Sequence, residues 1–453
     1  MEKGAFPSDV DEAKLVRKID FRVMPMLFAI YLVAFLDRVN ISNALTMSLP
    51  DDLNLYGDRE NVALLVFFVP YVLFEIPSNI LMKKFTPHVW LSGCIIAFGV
   101  IMLGQAFVKS YGGLIATRFF LGLAEAGIFP GSFYLISFWY KRVEAQKRFT
   151  VYWSSVIFAG AFGGLLASAI ANMDGLRGLH NWQWIFLLEG VASILVGIAA
   201  FFCVADFPQE ASWLTEDEKA LIVAKTRNDE DRDTTVQVSD VRDFFKDIKV
   251  YLAAIQYFTI VIPIYAFSYF APTIIKALGY QTIQTQLHSV PPFAAALGLC
   301  LIMAVWSDRA GIRFPFILFG DLLIIIGVAL MLSFHGTQHF SVEYLGICLI
   351  TMGAFSAGAI IVCWVLMNLH GHAQRSIGSG WVIGVGNSGG IVAVFCFLKS
   401  DAPNYYRKGY WILMAMALVG TVSSIAYALV VYYERRQSRL RADEVEKELE
   451  LSL

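Results

Sequence analysis

Asp37 and Arg38 stand side by side inside an apolar run, from about Val23 to Leu45, that is long enough to cross a bilayer. A charged side chain at membrane depth costs roughly 2.5–3.5 kcal/mol on insertion scales, so it is usually retained for a partner and a task. The guanidinium of Arg38 holds its charge permanently and offers a fork of donors that matches a carboxylate through two parallel hydrogen bonds. Arg38 lies 16 residues past Arg22, roughly 24 Å along a helix, which is within the membrane and toward its far side. One chemistry for this position is the anchoring of an anion. The other is a structural pair with Asp37 or another acid, although neighbouring helical residues point about 100° apart and Asp37 is not forced onto Arg38.

A second charged stretch runs from Arg118 to Glu125, mid-way along another apolar run. The two side chains are two turns apart on nearly the same helix face. A carboxyl removed from water and approached by a mobile cation can change its proton affinity, so Glu125 is a candidate proton-coupling group, with Arg118 as its modulator. The competing reading is a static Arg118–Glu125 brace. Gly122, Gly127 and Gly131 flank Glu125 and permit close helix packing. Glu75, Glu189 and Asp321 are further acids within apolar runs. The first two are expected to pack or to hydrogen-bond helix ends, and the role of Asp321 is open.

These residues need a scaffold that crosses a membrane many times. The 453 residues are 57% hydrophobic with mean hydropathy +0.60, above the apolar share of soluble domains. Twelve spans are predicted, approximately 23–45, 61–82, 89–108, 111–140, 148–172, 183–204, 250–275, 289–306, 314–334, 343–367, 376–398 and 410–433. They divide into a cytoplasmic segment 1–22, a six-helix bundle 23–204, a linker 205–249, a second six-helix bundle 250–433 and a tail 434–453. Of the 35 Lys and Arg, 26 fall on the side of the termini, seven on the other and two within the membrane. The excess of Lys and Arg places both termini in the cytoplasm. Without the long linker's seven the count is still 19 against seven. Within the linker, Thr215-Glu216-Asp217-Glu218 reads as a capping box, and Asn228–Asp233 as a charged, flexible stretch. The six cysteines lie in apolar runs without metal-ligand spacing and are expected to be free thiols. No signal peptide is expected, since the first apolar run is too long for one. No nucleophile–base set, metal cluster or cofactor motif is present, so an enzyme is not expected.

Several stretches narrow the class. The loop Ser307-Asp308-Arg309-Ala310-Gly311-Ile312-Arg313 resembles the short-loop signature of the major facilitator superfamily. LDRVNISNA (36–44), FEIPSN (74–79), RFFLGLAEAGIFPGSFYLISFWYKR (118–142), AGAFGGLLASAI (159–170), WQWIFLLEG (182–190) and GNSGGI (386–391) together resemble the anion:cation symporters of that superfamily. The resemblance is strongest to the fungal branch that includes allantoate permease and the high-affinity nicotinic acid transporters. It covers most of residues 20–430, and its most specific part is the fourth-span stretch. The equivalent first-half loop keeps Lys83 and Lys84 but lacks the Gly and Asp of the signature.

The resemblance implies an all-α membrane protein of two six-helix bundles, alternating access, and proton-coupled uptake of a carboxylate. It supports the anchor at Arg38 and coupling at Glu125, with Asp37 a second titrating group, and it implies that Asp308 and Arg309 gate the inward side. It also implies that the first, fourth, seventh and tenth spans line the path. Tyr265, Phe267, Tyr269, Phe270 and Trp364 fall there and could pack a flat substrate body, with Asn387 offering an amide. His370 and His372 are expected to be a solvated pair rather than a metal site.

The expected function is import of a small monocarboxylate, nicotinate or a similar acid, coupled to protons. The expected partners are a small organic anion, protons and the lipid bilayer, with no nucleic acid. A monomer in the plasma membrane is expected. Two alternatives stand beside this reading: a facilitative porter for a neutral solute, against which the buried charges argue, and a non-transporting nutrient sensor, which a longer signalling tail would favour.

Overall fold

The structure is a computed structural model that describes residues 11–82, 84–227, 242–277, 279–280, 282–335, 339–368 and 372–451. Lys83, the Asn228–Asp233 stretch, His370 and the side chain of His372 lie outside the described residues. The regular elements among the described residues are all helices. In chain order they are α1 (Glu12–Val39), α2 (Ile41–Leu45), α3 (Leu49–Asp52), α4 (Arg59–Met82), α5 (Pro87–Gln105), α6 (Tyr111–Glu125), α7 (Ile128–Trp139), α8 (Arg142–Ile170), α9 (Asn181–Cys203) and α10 (Glu216–Arg227). The second half continues with α11 (Ile248–Ala277), α12 (Thr282–His288), α13 (Val290–Ala310), α14 (Phe314–Ser333), α15 (Phe340–Met367), α16 (His372–Asn387), α17 (Gly389–Cys396) and α18 (Arg407–Leu451).

Local chemistry sets many of these boundaries. Asp11 caps α1 by accepting from the backbone N–H groups of Ala13 at 3.0 Å and Lys14 at 3.3 Å. Ser110 caps α6 through the N–H of Gly113 at 3.2 Å. Gly311, with φ +65°, ends α13 in the left-handed conformation that glycine tolerates best. The capping box closes as its spacing predicts. Thr215 N–H donates to Glu218 at 2.9 Å, and Glu218 N–H to the Thr215 hydroxyl at 3.3 Å.

Ten of the helical segments are long and apolar enough to cross a membrane by length and composition. The 24-residue α4 and the pair α16–α17 complete the expected twelve positions. Three predicted spans are not single helices. The first begins at Glu12 and breaks at Asn40, the fourth breaks at Ala126–Gly127, and the eleventh breaks at Ser388. Large apolar side chains such as Phe120, Leu195, Phe202 and Val422 are exposed on outer faces, as lipid-facing surfaces require.

In the first half α5 packs on α9, α4 on α6, and α1 on α8 and α9; in the second α14 packs on α15, α13 on α15, and α11 on α18. The glycines flanking Glu125 make close packing possible. A Cβ on Gly122 would overlap the Phe67 carbonyl of α4, and one on Gly131 would sit 2.6 Å from Met82 Sδ. Polar bonds join the halves at the end remote from the termini. Lys276 Nζ donates to the Thr46 carbonyl at 2.6 Å, Gln286 to the Thr46 hydroxyl at 2.9 Å and Asn61 to the Val394 carbonyl at 2.5 Å. Lys399 pairs there with Glu60. The linker docks on the first half: Trp213 stacks on Trp139 at 5.3 Å, and Lys18 pairs with Glu218 at 2.8 Å.

Candidate functional site

Three helices of the first half bring the charged centre together. Arg38 lies in the last turn of α1, Glu125 ends α6, and Tyr71 and Glu75 sit one turn apart on the same face of α4. Arg38, Glu125, Asp37, Arg118, Glu75 and Glu189 are all buried to 2% exposure or less, so each pays the desolvation that only a partner offsets.

Glu125 pairs with Arg38. The Arg38 Nε donates to Glu125 Oε1 at 3.0 Å, and Nη2 donates to the same oxygen. Arg38 Nη1 donates to the Tyr265 hydroxyl across the seam between the halves. Aromatic faces surround the guanidinium, with ring centroids at 4.7 Å for Tyr71, 5.2 Å for Phe67, 5.5 Å for Phe35 and 5.6 Å for Tyr265. Rings so placed attract a desolvated cation through their quadrupoles. The brace between Arg118 and Glu125 is therefore not the pairing this structure holds. Arg118 Nη2 instead reaches the Arg38 carbonyl at 3.5 Å, its guanidinium lies 5.1 Å from the Phe67 ring, and the Tyr269 hydroxyl stands nearby. Seven residues along one helix put Arg118 on a suitable face but two turns down, and Arg38 from the facing helix arrives closer.

Asp37 points away from Arg38, toward α9. It accepts from the Ser193 hydroxyl at 2.5 Å, and its carboxyl lies within hydrogen-bonding reach of Glu189. Glu189 was expected to pack or to serve a helix end. It does lie within hydrogen-bonding reach of Asn40, where α1 ends, and it also adds a fourth helix to the charged centre. The signal that could have found it was its spacing to Ser193, four residues on, which places both on one face of α9.

The aromatics divide. Tyr265 and Tyr269 stack on each other at 6.0 Å and both meet the edge of Phe68, at 4.9 and 6.2 Å, beside Arg38. Phe267 and Phe270 pack on Phe397 within the second half. Trp364 packs on Tyr427 at 4.7 Å and on Phe314 at 6.2 Å, and belongs to none of the rings around Arg38. Asn387, the last residue of α16, faces Glu75 from the opposite half.

At the end that carries the termini, Asp308 pairs with Arg313 of its own loop at 2.5 Å, and Arg313 also donates to Ser307. Arg309 is exposed. Asp321 accepts from Thr421 on α18 at 3.4 Å, a partner that sequence distance concealed. The six cysteines are free. No group of three or more His, Cys, Asp or Glu among the described residues could hold a metal ion. An apolar crevice lined by Phe74, Leu81, Trp90 and Leu123 opens between α4, α5 and α6 and contains none of the charged centre.

The sequence profile of the Major Facilitator Superfamily matches residues 27–394. The chain belongs to the major facilitator superfamily. It is therefore a multi-pass integral membrane transporter of small molecules and not an enzyme. Among fungal superfamily members, an uncharacterised transporter of Schizosaccharomyces pombe is 33% identical over 96% of this chain and 88% of its own. The high-affinity nicotinic acid transporter of Saccharomyces cerevisiae is 31% identical over 96% of this chain and 80% of its own. The superfamily fold is matched by the proton:xylose symporter XylE bound to 6-bromo-6-deoxy-D-glucose. The TM-score is 0.69 at 16% identity, over 91% of this chain and 95% of that one.

Proposed function

We propose that this transporter imports a small monocarboxylate of the nicotinate kind by proton-coupled symport with alternating access. The observation that carries the reading is the Arg38–Glu125 pair, an arginine closed on a carboxylate in a buried centre. A substrate carboxylate is a chemical equivalent of the Glu125 side chain, so the two compete for one fork. When Glu125 takes a proton it loses its hold on Arg38, and the fork turns to the substrate. When the centre opens to the cytoplasm and the proton leaves, Glu125 reclaims Arg38 and the substrate is expelled. Proton and substrate then exchange at a single guanidinium, which is what coupling demands.

The charges support a role for protons. Four buried acids (Asp37, Glu75, Glu125 and Glu189) surround two buried arginines. A substrate anion adds to an already acidic centre, and two carboxyls in contact, as Asp37 and Glu189 are, cannot both stay ionised. Entry of an anion into a negative cell also works against about 2.3 kcal/mol per elementary charge per 100 mV. One proton cancels that and two reverse it. Arg38 is thus the anchor, Tyr265 and Tyr269 pack the substrate body, and Asn387 offers an amide. Glu125 and Asp37 carry protons with Arg118 as modulator. Asp308 and Arg309 stand at the inward gate. The nicotinic acid transporter among the relatives supports the substrate class. The Lys and Arg count supports cytoplasmic termini, and the transporter acts as a monomer in the plasma membrane.

The test uses purified protein in proteoliposomes under an inward proton gradient. Glu125→Gln, which keeps shape and hydrogen-bonding reach but cannot titrate, should bind and exchange substrate yet fail to accumulate it. Full gradient-driven accumulation by that variant removes Glu125 from the coupling.

A further inference from the structure

Glu75 is left over by this scheme. It is wholly buried in the membrane, and neither of its carboxylate oxygens has a hydrogen-bond partner. A buried carboxyl without partners is costly and calls for one. Its position shows which partner. Phe68, Tyr71 and Glu75 form one stripe of α4, at spacings of three and four residues. Phe68 meets Tyr265 and the backbone at Gly390 across the seam, and Tyr71 carries the Arg38 guanidinium on its ring. Glu75 continues the stripe by one turn. It faces Asn387 and lies 3.9 Å from where a Cβ on Gly384 would stand. The glycine leaves space in front of the carboxyl, on the seam that alternating access opens. The surrounding polar groups of the stripe and its cover, Arg38, Tyr71, Tyr265 and the Asn387 amide, all have hydrogens to donate. An ionised Glu75 can only accept.

We infer that Glu75 is a second substrate-binding group, which accepts a hydrogen bond from an N–H or O–H donor of the substrate roughly one helical turn, about 5 Å, from the carboxylate held by Arg38. The inference rests on the anion-anchor reading and narrows it. The preferred substrates are small carboxylic acids that carry a hydroxyl, an amide or a protonated ring nitrogen (the pyridinium form of nicotinate) on the far side of a ring or short chain. Simple carboxylates lacking that donor leave Glu75 unsatisfied. Sites built around a buried hydrogen-bonding group reject analogues that cannot complete the bond.

The experiment compares 3-hydroxybenzoate with 3-methoxybenzoate, which share the ring and carboxylate and differ in the donor. Binding to the purified full-length transporter is titrated by intrinsic fluorescence, with gel filtration reporting folded protein. The expected result is at least a tenfold preference for 3-hydroxybenzoate, reduced to near unity by Glu75→Leu, which removes the acceptor. Arg38→Lys should weaken both ligands alike and keep the ratio. Gly384→Ser supplies a hydroxyl next to Glu75 and should lower the preference in the same way, which keeps the test decisive if Glu75→Leu does not fold. Binding of both acids without preference, or a preference that survives Glu75→Leu and Gly384→Ser, overturns this inference and leaves the anion anchor standing. Failure of both acids to bind the unaltered protein overturns the two together.

Discussion

At the scale of single residues, the centre turns on one guanidinium claimed by Glu125 and by Tyr265. Arg38→Lys keeps the charge but loses the fork, and the expected outcome is loss of most uptake with surface expression retained. Uptake assays on cells with matched surface labelling check this, and near-normal affinity would remove Arg38 as the anchor. Arg38 and Glu125 were each legible in the sequence, because a charge inside an apolar run stands out against its surroundings. Their pairing was not. They lie 87 positions apart, and no spacing rule says which arginine a carboxyl meets after folding. The nearer partner by sequence, Arg118, lost to the nearer one in space. Glu75 and Glu189 were legible as buried acids, but their places in the centre depend on which helix faces are turned inward.

At the scale of elements, the breaks at Asn40, Ala126–Gly127 and Ser388 were not foreseen. Each falls inside a run long and apolar enough to cross the membrane, and the polar and glycine residues there (Asp37–Asn43, Glu125–Gly127 and Asn387–Gly390) can also stand in an unbroken helix. The glycines flanking Glu125 were legible as packing positions, and their close contacts with α4 give a test. Gly122→Ala drives a methyl into the Phe67 carbonyl. The expected cost is about 1–3 kcal/mol, the usual range for overpacking, read as a lower unfolding temperature in detergent. An unchanged transition would show that α4 and α6 can separate freely. The linker helix α10 gives a second test. Burial is the largest single influence on the Glu218 carboxyl and raises it, but hydrogen bonds from Lys18 and Thr215, together with the Lys18 charge, outweigh it and hold the group below its ordinary range. A depressed carboxyl contributes stability above its unfolded value and loses it as pH falls through the folded one. Hydrogen-exchange protection of residues 216–222, corrected for intrinsic rates, should therefore hold steady from pH 7 to 5 and fall only below about pH 4. Lys18→Ala should lower it at neutral pH, and protection indifferent to both changes would show that the Trp139–Trp213 stack alone docks the linker.

At the scale of the whole molecule, the number of spans and their grouping into helical halves follow from hydropathy, which is why the fold was open to reading in advance. The way one half rests on the other was not, because it depends on long-range bonds such as Lys276 to Thr46 and Lys399 to Glu60. These bonds hold the end remote from the termini closed. Lys399→Ala should release part of that latch and raise the labelling of a cysteine placed at Asn54 or Asp58. Labelling unchanged from the unaltered protein would show that the latch does not bias the two states. A tag after Leu453 should stay unlabelled in intact cells, and surface labelling there would invert the topology.

The ionisable side chains of the centre all come from one half. Asp37, Arg38, Glu75, Arg118, Glu125 and Glu189 lie before the linker, while the second half covers them with the neutral Tyr265, Tyr269 and Asn387. The engine and the upholstery are therefore separately inheritable. A chimera joining residues 1–227 of this chain to the second half of a relative should keep its dependence on the proton gradient while changing which ring or chain it accepts, and duplicated genes could diversify their cargo by drift in the second half alone without rebuilding the energy source.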